Sequence, residues 1–375
     1  MKLGKVRSFA PMIIILLFLS FPVMAAYKAH HNDKDTAKIL QAYPQAKDSK
    51  VDNCYVCHTG GKVEKKYVDA CDYCHAVYGF KAPHPEGAIQ KTLNPFGAAY
   101  NKAGRSIEAF ATIASLDSDQ DGFSNHEEIA LGHLPGEAND NPSVKAAPSV
   151  VYSIEKLKRL PQTSQFMPID TAKAGDYYAT YAGVSVLDLL KNAGMTSSAT
   201  DITVFSADGY SRNYSLDELR QTYKPGSYFS YYPWISYPDK VAYKNGQPIK
   251  GKLQYLVAYE RDGFPLTEGG IVSGGDGGKY SLSGEGPFRL IAPSSTPVVP
   301  DRSQWSVDRG DPPYPFNHNR PVLKNADYCI KTIVAIQVNT ESSKFFQNNW
   351  SAEAWQMVQK GHLVVYGAIR PINAK

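Results

Sequence analysis

Two Cys-x-x-Cys-His runs, Cys54-Tyr-Val-Cys57-His58 and Cys71-Asp-Tyr-Cys74-His75, use four of the five cysteines in the chain. Two thiols three positions apart reach the two vinyl groups of one porphyrin, and the adjacent imidazole meets the iron, so the spacing is that of covalent c-type haem attachment. Cys54, Cys57, Cys71 and Cys74 are the expected thioether donors, with His58 and His75 as proximal iron ligands. Two other chemistries use similar residues. A four-thiolate zinc site would need neither histidine. A redox dithiol would not require His at the fifth position twice, and would sit in a βαβ pattern that is missing here. The doubled histidine favours two haems.

A second constellation is Asp117-Ser-Asp119-Gln-Asp121-Gly122-Phe123-Ser-Asn125-His126-Glu127-Glu128, which follows the D-x-D-x-D-G-x5-E calcium pattern position by position. Asp117, Asp119 and Asp121 would supply carboxylate oxygens and Phe123 its backbone carbonyl. Asn125 would bind directly or through water, and Glu128 would close the site with two oxygens. Gly122 makes the sharp turn. The competing reading is an acidic surface turn that caps the following helix.

Each iron also needs a sixth ligand or an open position. After residue 26 the only methionines are Met167, Met195 and Met357, which turns attention to histidine. His30, His31, His84, His126 and His133 are available, and His31 and His84 are the preferred distal candidates. His84 stands in Ala-Pro-His-Pro, a stiff loop able to return to an iron. His126 is partly committed by its place in the acidic loop.

These residues need elements to position them. Asn94, Pro95 and Gly104 predict a helix over 96–103, with Asn as N-cap, Pro at its start and Gly as its stop. Its Phe96 and Tyr100 share one face, available either to a haem edge or to ordinary packing. A second helix over 125–131, ended by Gly132, would carry Glu128 into place.

The chain begins with Lys2, Lys5 and Arg7, then an apolar run over 12–19 and small residues to Ala26, the pattern of a secretory signal peptide. The run is too short to span a bilayer core of about 30 Å as a helix. An uncleaved anchor is the alternative. Export to the periplasm, the cell surface or the extracellular space is expected, with no integral membrane segment after cleavage. Removing residues 1–26 takes three of the forty Lys and Arg and none of the 36 acids, leaving a nearly neutral chain. That balance gives no case for nucleic-acid binding.

Beyond a Pro/Ala/Ser stretch the composition changes to α+β punctuation. Residues 185–194 read as a capped helix, 202–205 and 210–214 as a hairpin, and Ser215-Leu-Asp-Glu218 as a capping box. Residues 253–259, 288–291 and 330–338 read as strands and 350–360 as a terminal helix. The aromatic-rich segment 226–237 suits either a partner surface or core packing. The glycine-rich stretch 269–286 lacks the phosphate-loop pattern and is expected to be a loop. Cys329 is expected to be a buried structural thiol.

The order of two CxxCH motifs, Leu93-Asn-Pro-Phe-Gly97, the Asp-rich loop and Ser283-Gly-Glu-Gly-Pro-Phe-Arg-Leu290 resembles the GEGP-motif diheme c-type cytochrome family. That resemblance implies a bacterial protein of extracytoplasmic respiration. The acidic segment alone resembles thrombospondin type 3 and EF-hand-type loops. Ala182-Gly-Val-Ser-Val-Leu-Asp-Leu-Leu190, Ala207-Asp-Gly-Tyr210, Asp262-Gly-Phe-Pro-Leu266, Gly286-Pro-Phe-Arg-Leu290 and Trp305 are similar to the sulfite-oxidase-type molybdopterin-binding fold. Enzymes of that fold hold molybdenum through a Cys early in the domain, whereas no Cys lies between Cys74 and Cys329 here. The departure argues against molybdopterin and for a docking or structural module.

The expected organisation is a signal peptide over 1–26 and a small, mostly α and irregular diheme cytochrome c domain with an EF-hand-like calcium loop over 27–141. A linker over 142–150 and an α+β, mixed-sheet domain over 151–375 follow. The expected function is electron transfer between redox partner proteins rather than catalysis, with no catalytic residue assigned. The alternative is a molybdenum-dependent oxidoreductase fused to its own diheme acceptor.

Overall fold

The computed structural model describes residues 34–47, 49–52, 54–58, 61–63, 66–68, 89–171, 176–207, 210–230, 235–267, 271–273, 280–282, 284–294, 325–341, 354, 357–358 and 361–371. Residues 1–26, His30, His31, the second CxxCH motif, His84 and Trp305 lie outside them, as does most of the expected helix 350–360.

The amino-terminal region is helical and irregular. Helix α1 (Lys34–Ala42) precedes a 3-10 turn, Cys54–Val56, that contains the start of the first CxxCH motif. A short hairpin, β1 (Gly61–Val63) with β2 (Lys66–Val68), follows between the two motifs and was not expected from the sequence. Three helices come next: α2 (Pro95–Lys102), α3 (Ile107–Ile113) and α4 (Asn125–Leu131). Each has the local signal that a helix start needs. Asn94, Ser106 and Ser124 accept hydrogen bonds from the backbone N–H three residues on, satisfying donors that the helix cannot. Phe96 and Tyr100 of α2 are buried against Phe110 of α3, with ring centroids 6.3 and 4.3 Å away and planes nearly parallel. Ordinary packing therefore accounts for this face.

The rest is α+β. One sheet runs β12 (Arg289–Ile291), β8 (Leu256–Arg261), β5 (Tyr177–Ser185), β4 (Gln162–Ile169), antiparallel throughout, with β9 (Phe264–Pro265) hairpinned onto β8. The other runs β3 (Ser149–Tyr152), β14 (Leu363–Gly367), β13 (Ile333–Thr340), β6 (Ala199–Ser206), β7 (Ser211–Ser215), and only its β13–β14 pair is parallel. Short helices α5 (Ile154–Leu157), α6 (Val186–Asn192) and α7 (Leu216–Arg220) start at Ser153, Ser185 and Ser215, whose side chains cap them.

The central strands of the second sheet are buried on both faces. Ile202, Val204, Ile336, Val338, Leu363 and Val365 meet the first sheet in one core. Their neighbours Phe205, Ala335, Val364 and Tyr366 join a second core containing Ile39, Tyr55, Phe96, Phe110 and Ile129 of the amino-terminal region. Alternate residues of a strand point to opposite faces, so burial of both explains why β13 and β14 read as continuous apolar runs. Ala354 and Val358, in the crossover that a parallel pair requires, lie in the same second core.

Three expectations are corrected. The linker over 142–150 ends early, because Ser149 and Val150 already pair with Tyr366 and Val365 as part of β3. The stretch 269–286 is not only a loop: β10 (Ile271–Ser273) pairs antiparallel with β11 (Tyr280–Leu282). The chain does not finish on a helix, since β14 follows it. Where aromatic residues crowd 226–237, Tyr228 and Ile235 are buried with Tyr178 in a small separate core, and Tyr228 meets Tyr178 edge-on at 4.9 Å. Among the described residues no helix is long and apolar enough to cross a membrane.

Candidate functional site

The first CxxCH loop is built by contacts from far along the chain. The first motif opens on a 3-10 turn, Cys54–Val56, with Cys57 directly after it. The backbone carbonyls of this turn are held by Asn94. Its side-chain Nδ2 donates to the Tyr55 and Val56 carbonyls at 3.4 and 3.2 Å, and its backbone N–H donates to the Cys57 carbonyl at 2.8 Å. Its Oδ1 meanwhile accepts from Gly97 N at 2.8 Å, so one residue caps α2 and fastens the loop. Two glycines make that approach feasible. A Cβ on Gly97 would come within 2.5 Å of the Cys57 carbonyl oxygen, and one on Gly136 within 2.4 Å of the Asn94 side chain. The Leu93–Gly97 motif is thus a clamp on the first Cys-x-x-Cys-His run.

His58 is oriented too. Its Nδ1 lies 2.8 Å from Thr92 Oγ1, and Thr92 is only 3% exposed. The hydroxyl can take either role in this contact, and where Nδ1 is the donor, Nε2 carries the lone pair that a metal requires. Sequence reasoning missed Thr92, since no local signal links positions 92 and 58. The side chains of the expected haem ligands Cys54, Cys71, Cys74, His75, His31 and His84 are outside the described residues.

The acidic loop takes the shape its sequence requires. Gly122 has φ +100°, a conformation that glycine adopts without penalty. Asp117 accepts from the N–H groups of Asp121 and Gly122 at 3.1 and 2.9 Å, and Asp121 from that of Phe123 at 3.0 Å. Oxygens of Asp117, Asp119 and Asp121 lie within 4.8 Å of one another. The Ser124–Glu127 capping box starts α4, which places Glu128 and Asn125 inside. Asn125 Nδ2 donates to the Ile113 carbonyl at 2.7 Å, which aims Oδ1 the other way.

What the loop lacks is partners. Glu128 is 0% exposed, yet neither carboxylate oxygen has a hydrogen bond. Both oxygens of Asp119, Oδ2 of Asp121 and Oδ1 of Asn125 are also buried without partners. Unpaired acceptors of this kind are costly and rare. Burial, then the charges of Asp119, Asp121, Asp140 and Asp117, push Glu128 up to about 9. Burial and the neighbouring Asp121 and Asp117 push Asp119 up to about 6. The chemistry of this donor set, hard oxygens and converging negative charge, fits a divalent cation such as calcium.

The two sites are joined by a further group absent from the sequence reading. Buried Asp140 accepts from Lys50, four residues before Cys54, and bonds His133 Nδ1 at 3.0 Å and Leu134 N at 3.0 Å. Burial alone would raise the Asp140 carboxyl, but His133 and Lys50 hold it below its ordinary value. The backbone N–H of His133 in turn donates to the Glu128 carbonyl at 2.7 Å. His126, the loop's own histidine, faces the Tyr43 ring at 5.7 Å.

Among the described residues, the β region shows no gathering of unpaired carboxylates on the scale of the acidic loop. Its GEGP segment forms a closed ion cluster: Glu285 receives Arg289 at 2.7 Å and Arg261 at 3.1 Å, while Arg289 also donates to Tyr181 and Tyr177. Cys329 is buried, accepts from Ala292 N at 3.3 Å, and has its thiol pushed up by burial, a poor starting point for a thiolate ligand. The chain matches no family model, no curated protein and no solved structure.

Proposed function

We propose that this chain is an exported electron carrier with two covalently attached c-type haems, passing electrons between partner proteins in extracytoplasmic respiration. The observation that supports it most is the pairing of a doubled Cys-x-x-Cys-His sequence with an oriented His58, whose Nδ1 is engaged by Thr92 within a loop clamped by Asn94. Cys54 and Cys57 would hold one haem through thioethers, with His58 as its axial ligand. Cys71, Cys74 and His75 would hold the other, and His31 and His84 are the proposed distal ligands. When bound, the haem iron supplies one-electron chemistry between ferric and ferrous states. The chain's part is to fix the ligands, to limit water around them and to keep the proton on His58 Nδ1.

The acidic loop would hold one calcium ion through Asp117, Asp119, Asp121, the Phe123 carbonyl, Asn125 and Glu128, with a structural role. In this reading the β region is a docking or structural module. Its one thiol, Cys329, sits near the end of the fold and is already engaged with Ala292, which does not suit a molybdenum ligand.

The test is haem stoichiometry on purified protein. Acid–acetone extraction should leave colour on the polypeptide, and pyridine haemochrome quantitation should return two haems per chain. Replacing Cys71 and Cys74 should remove one. Colour lost to the solvent would reject the reading, and molybdenum found in the metal analysis would favour the oxidoreductase alternative.

A further inference from the structure

We propose that Thr92 is a positioning residue for the iron ligand of the first haem: its hydroxyl accepts the Nδ1 proton of His58 and thereby sets that haem's midpoint potential. This rests on reading Cys54, Cys57 and His58 as a haem-attachment motif.

Three features of the site carry the argument. The contact is short, 2.8 Å between Thr92 Oγ1 and His58 Nδ1, and Thr92 is 3% exposed, so water competes poorly for it. Thr92 ends the 3-10 turn Ile89–Thr92 and is followed two residues later by Asn94, the residue that clamps the carbonyls of Tyr55, Val56 and Cys57. The acceptor and the ring are therefore tied to one another through a second set of bonds, and neither can drift alone. Finally, an imidazole whose Nε2 is a ligand keeps its proton on Nδ1, which makes the ring the donor and the hydroxyl the acceptor.

The consequence is electronic as well as geometric. A hydrogen bond accepted from Nδ1 draws that proton away from the ring and makes Nε2 more basic. A more basic ligand favours the ferric over the ferrous iron, and so lowers the potential. During turnover no bond is formed or broken here. One electron arrives from, or leaves to, a redox partner protein, and the proton remains on Nδ1.

The test uses the full chain as wild type, Thr92→Val and Thr92→Ser, each assayed by mass for covalent haem and by spectroelectrochemical titration. Thr92→Val keeps the shape and removes the acceptor. It should leave two haems attached and move one midpoint potential upward, with the other unchanged, while Thr92→Ser titrates like wild type. A Thr92→Val protein with two haems and an unaltered titration overturns the proposal. Loss of one haem from Thr92→Val but not from Thr92→Ser would support it, because Ser keeps the hydroxyl without the methyl and Val the methyl without the hydroxyl. Loss from both would show that haem attachment fails with any change of this side chain, hydroxyl kept or not, and overturn it. A wild-type chain with no covalent haem would instead reject the haem reading, and this inference with it.

Discussion

Glu128 in the acidic loop and Glu285 in the β region are both largely enclosed carboxylates, and they sit in opposite electrostatic states. Glu285 has one oxygen on Arg289 and the other on Arg261. Burial would raise it, but the Arg289 charge and hydrogen bond, and then Arg261, hold it below its ordinary value. Glu128 has no hydrogen bond at either oxygen and is surrounded by further acids, which add to burial and push it up to about 9. The Glu285 carboxylate is matched by two arginines of its own region. Among the described residues no cation pairs with the carboxylate oxygens of Glu128, and calcium is the proposed partner.

The largest expected effect breaks this comparison at the closed end. Glu285→Ala leaves Arg289 charged and buried without its carboxylate, and should cost about 3–5 kcal/mol in denaturant unfolding. Glu128→Gln, measured in chelator, should cost nothing or stabilise, because it replaces a carboxyl that must hold a proton to stay buried with a permanently neutral amide. Equal losses in the two variants would show that the orphaned state of Glu128 has been misread.

Calcium supplies the next effect. A cation that binds only the folded loop should stabilise the protein by about 2.7 kcal/mol at a hundredfold excess over Kd. Thermal melts with calcium and with chelator should show this difference in wild type and not in Asp121→Ala. The haem absorption of the folded protein should be unchanged, since no loop ligand is a proposed iron ligand. A chelator-induced Soret shift would make His126 the leading distal candidate, and a melt indifferent to calcium would reduce the loop to an acidic turn.

The pH dependence sharpens the contrast further, at no more than about 1.4 kcal/mol per pH unit for each group. Without a cation, folded Glu128 holds a proton that the unfolded chain releases above its ordinary value of 4.5, so stability is full below that pH and falls as pH rises toward about 9. Glu285 acts in reverse. Its folded value is lowered, so its contribution is present above 4.5 and is lost as pH falls through the folded value. Denaturation curves of the calcium-free protein should therefore decline above pH 4.5, and Glu128→Gln should flatten that decline.

The smallest effect concerns the clamp. Asn94→Ala removes an N-cap and two loop contacts, and should lower stability by about 1 kcal/mol. Limited proteolysis should quicken near residues 54–58 while the β region stays protected. Unchanged cleavage there would mean that Asn94 serves the helix alone.

Much of this was legible locally. The Cys-x-x-Cys-His spacing, the twelve-residue acidic pattern and the helix starts at Asn94, Ser124, Ser185 and Ser215 all depend on residues within a few positions of each other. The helix over 125–131 with its Gly132 stop was read from the sequence with the bounds that the structure has. Strands were read less well. β4, β5 and β14 were missed, as was the hairpin within 269–286. In β14, burial of both faces erases the alternation by which a strand is recognised, whereas β13 was legible as the apolar run over 330–338.

What the sequence by itself determined is the inventory of chemistry: thiols and imidazoles at haem spacing, and a run of carboxylates at calcium spacing. The tertiary structure decided which groups serve those sites. Thr92 meets His58 across 34 residues and Lys50 meets Asp140 across 90, while Asn94 reaches back to Tyr55 and Val56. It also decided that Glu285 is neutralised by Arg289 and Arg261, and that Glu128 is left with nothing. The physical reason is range. Backbone turns and caps are satisfied by the nearest residues in sequence, whereas a buried polar side chain is satisfied by whatever packing brings within about 3 Å, which no local pattern encodes.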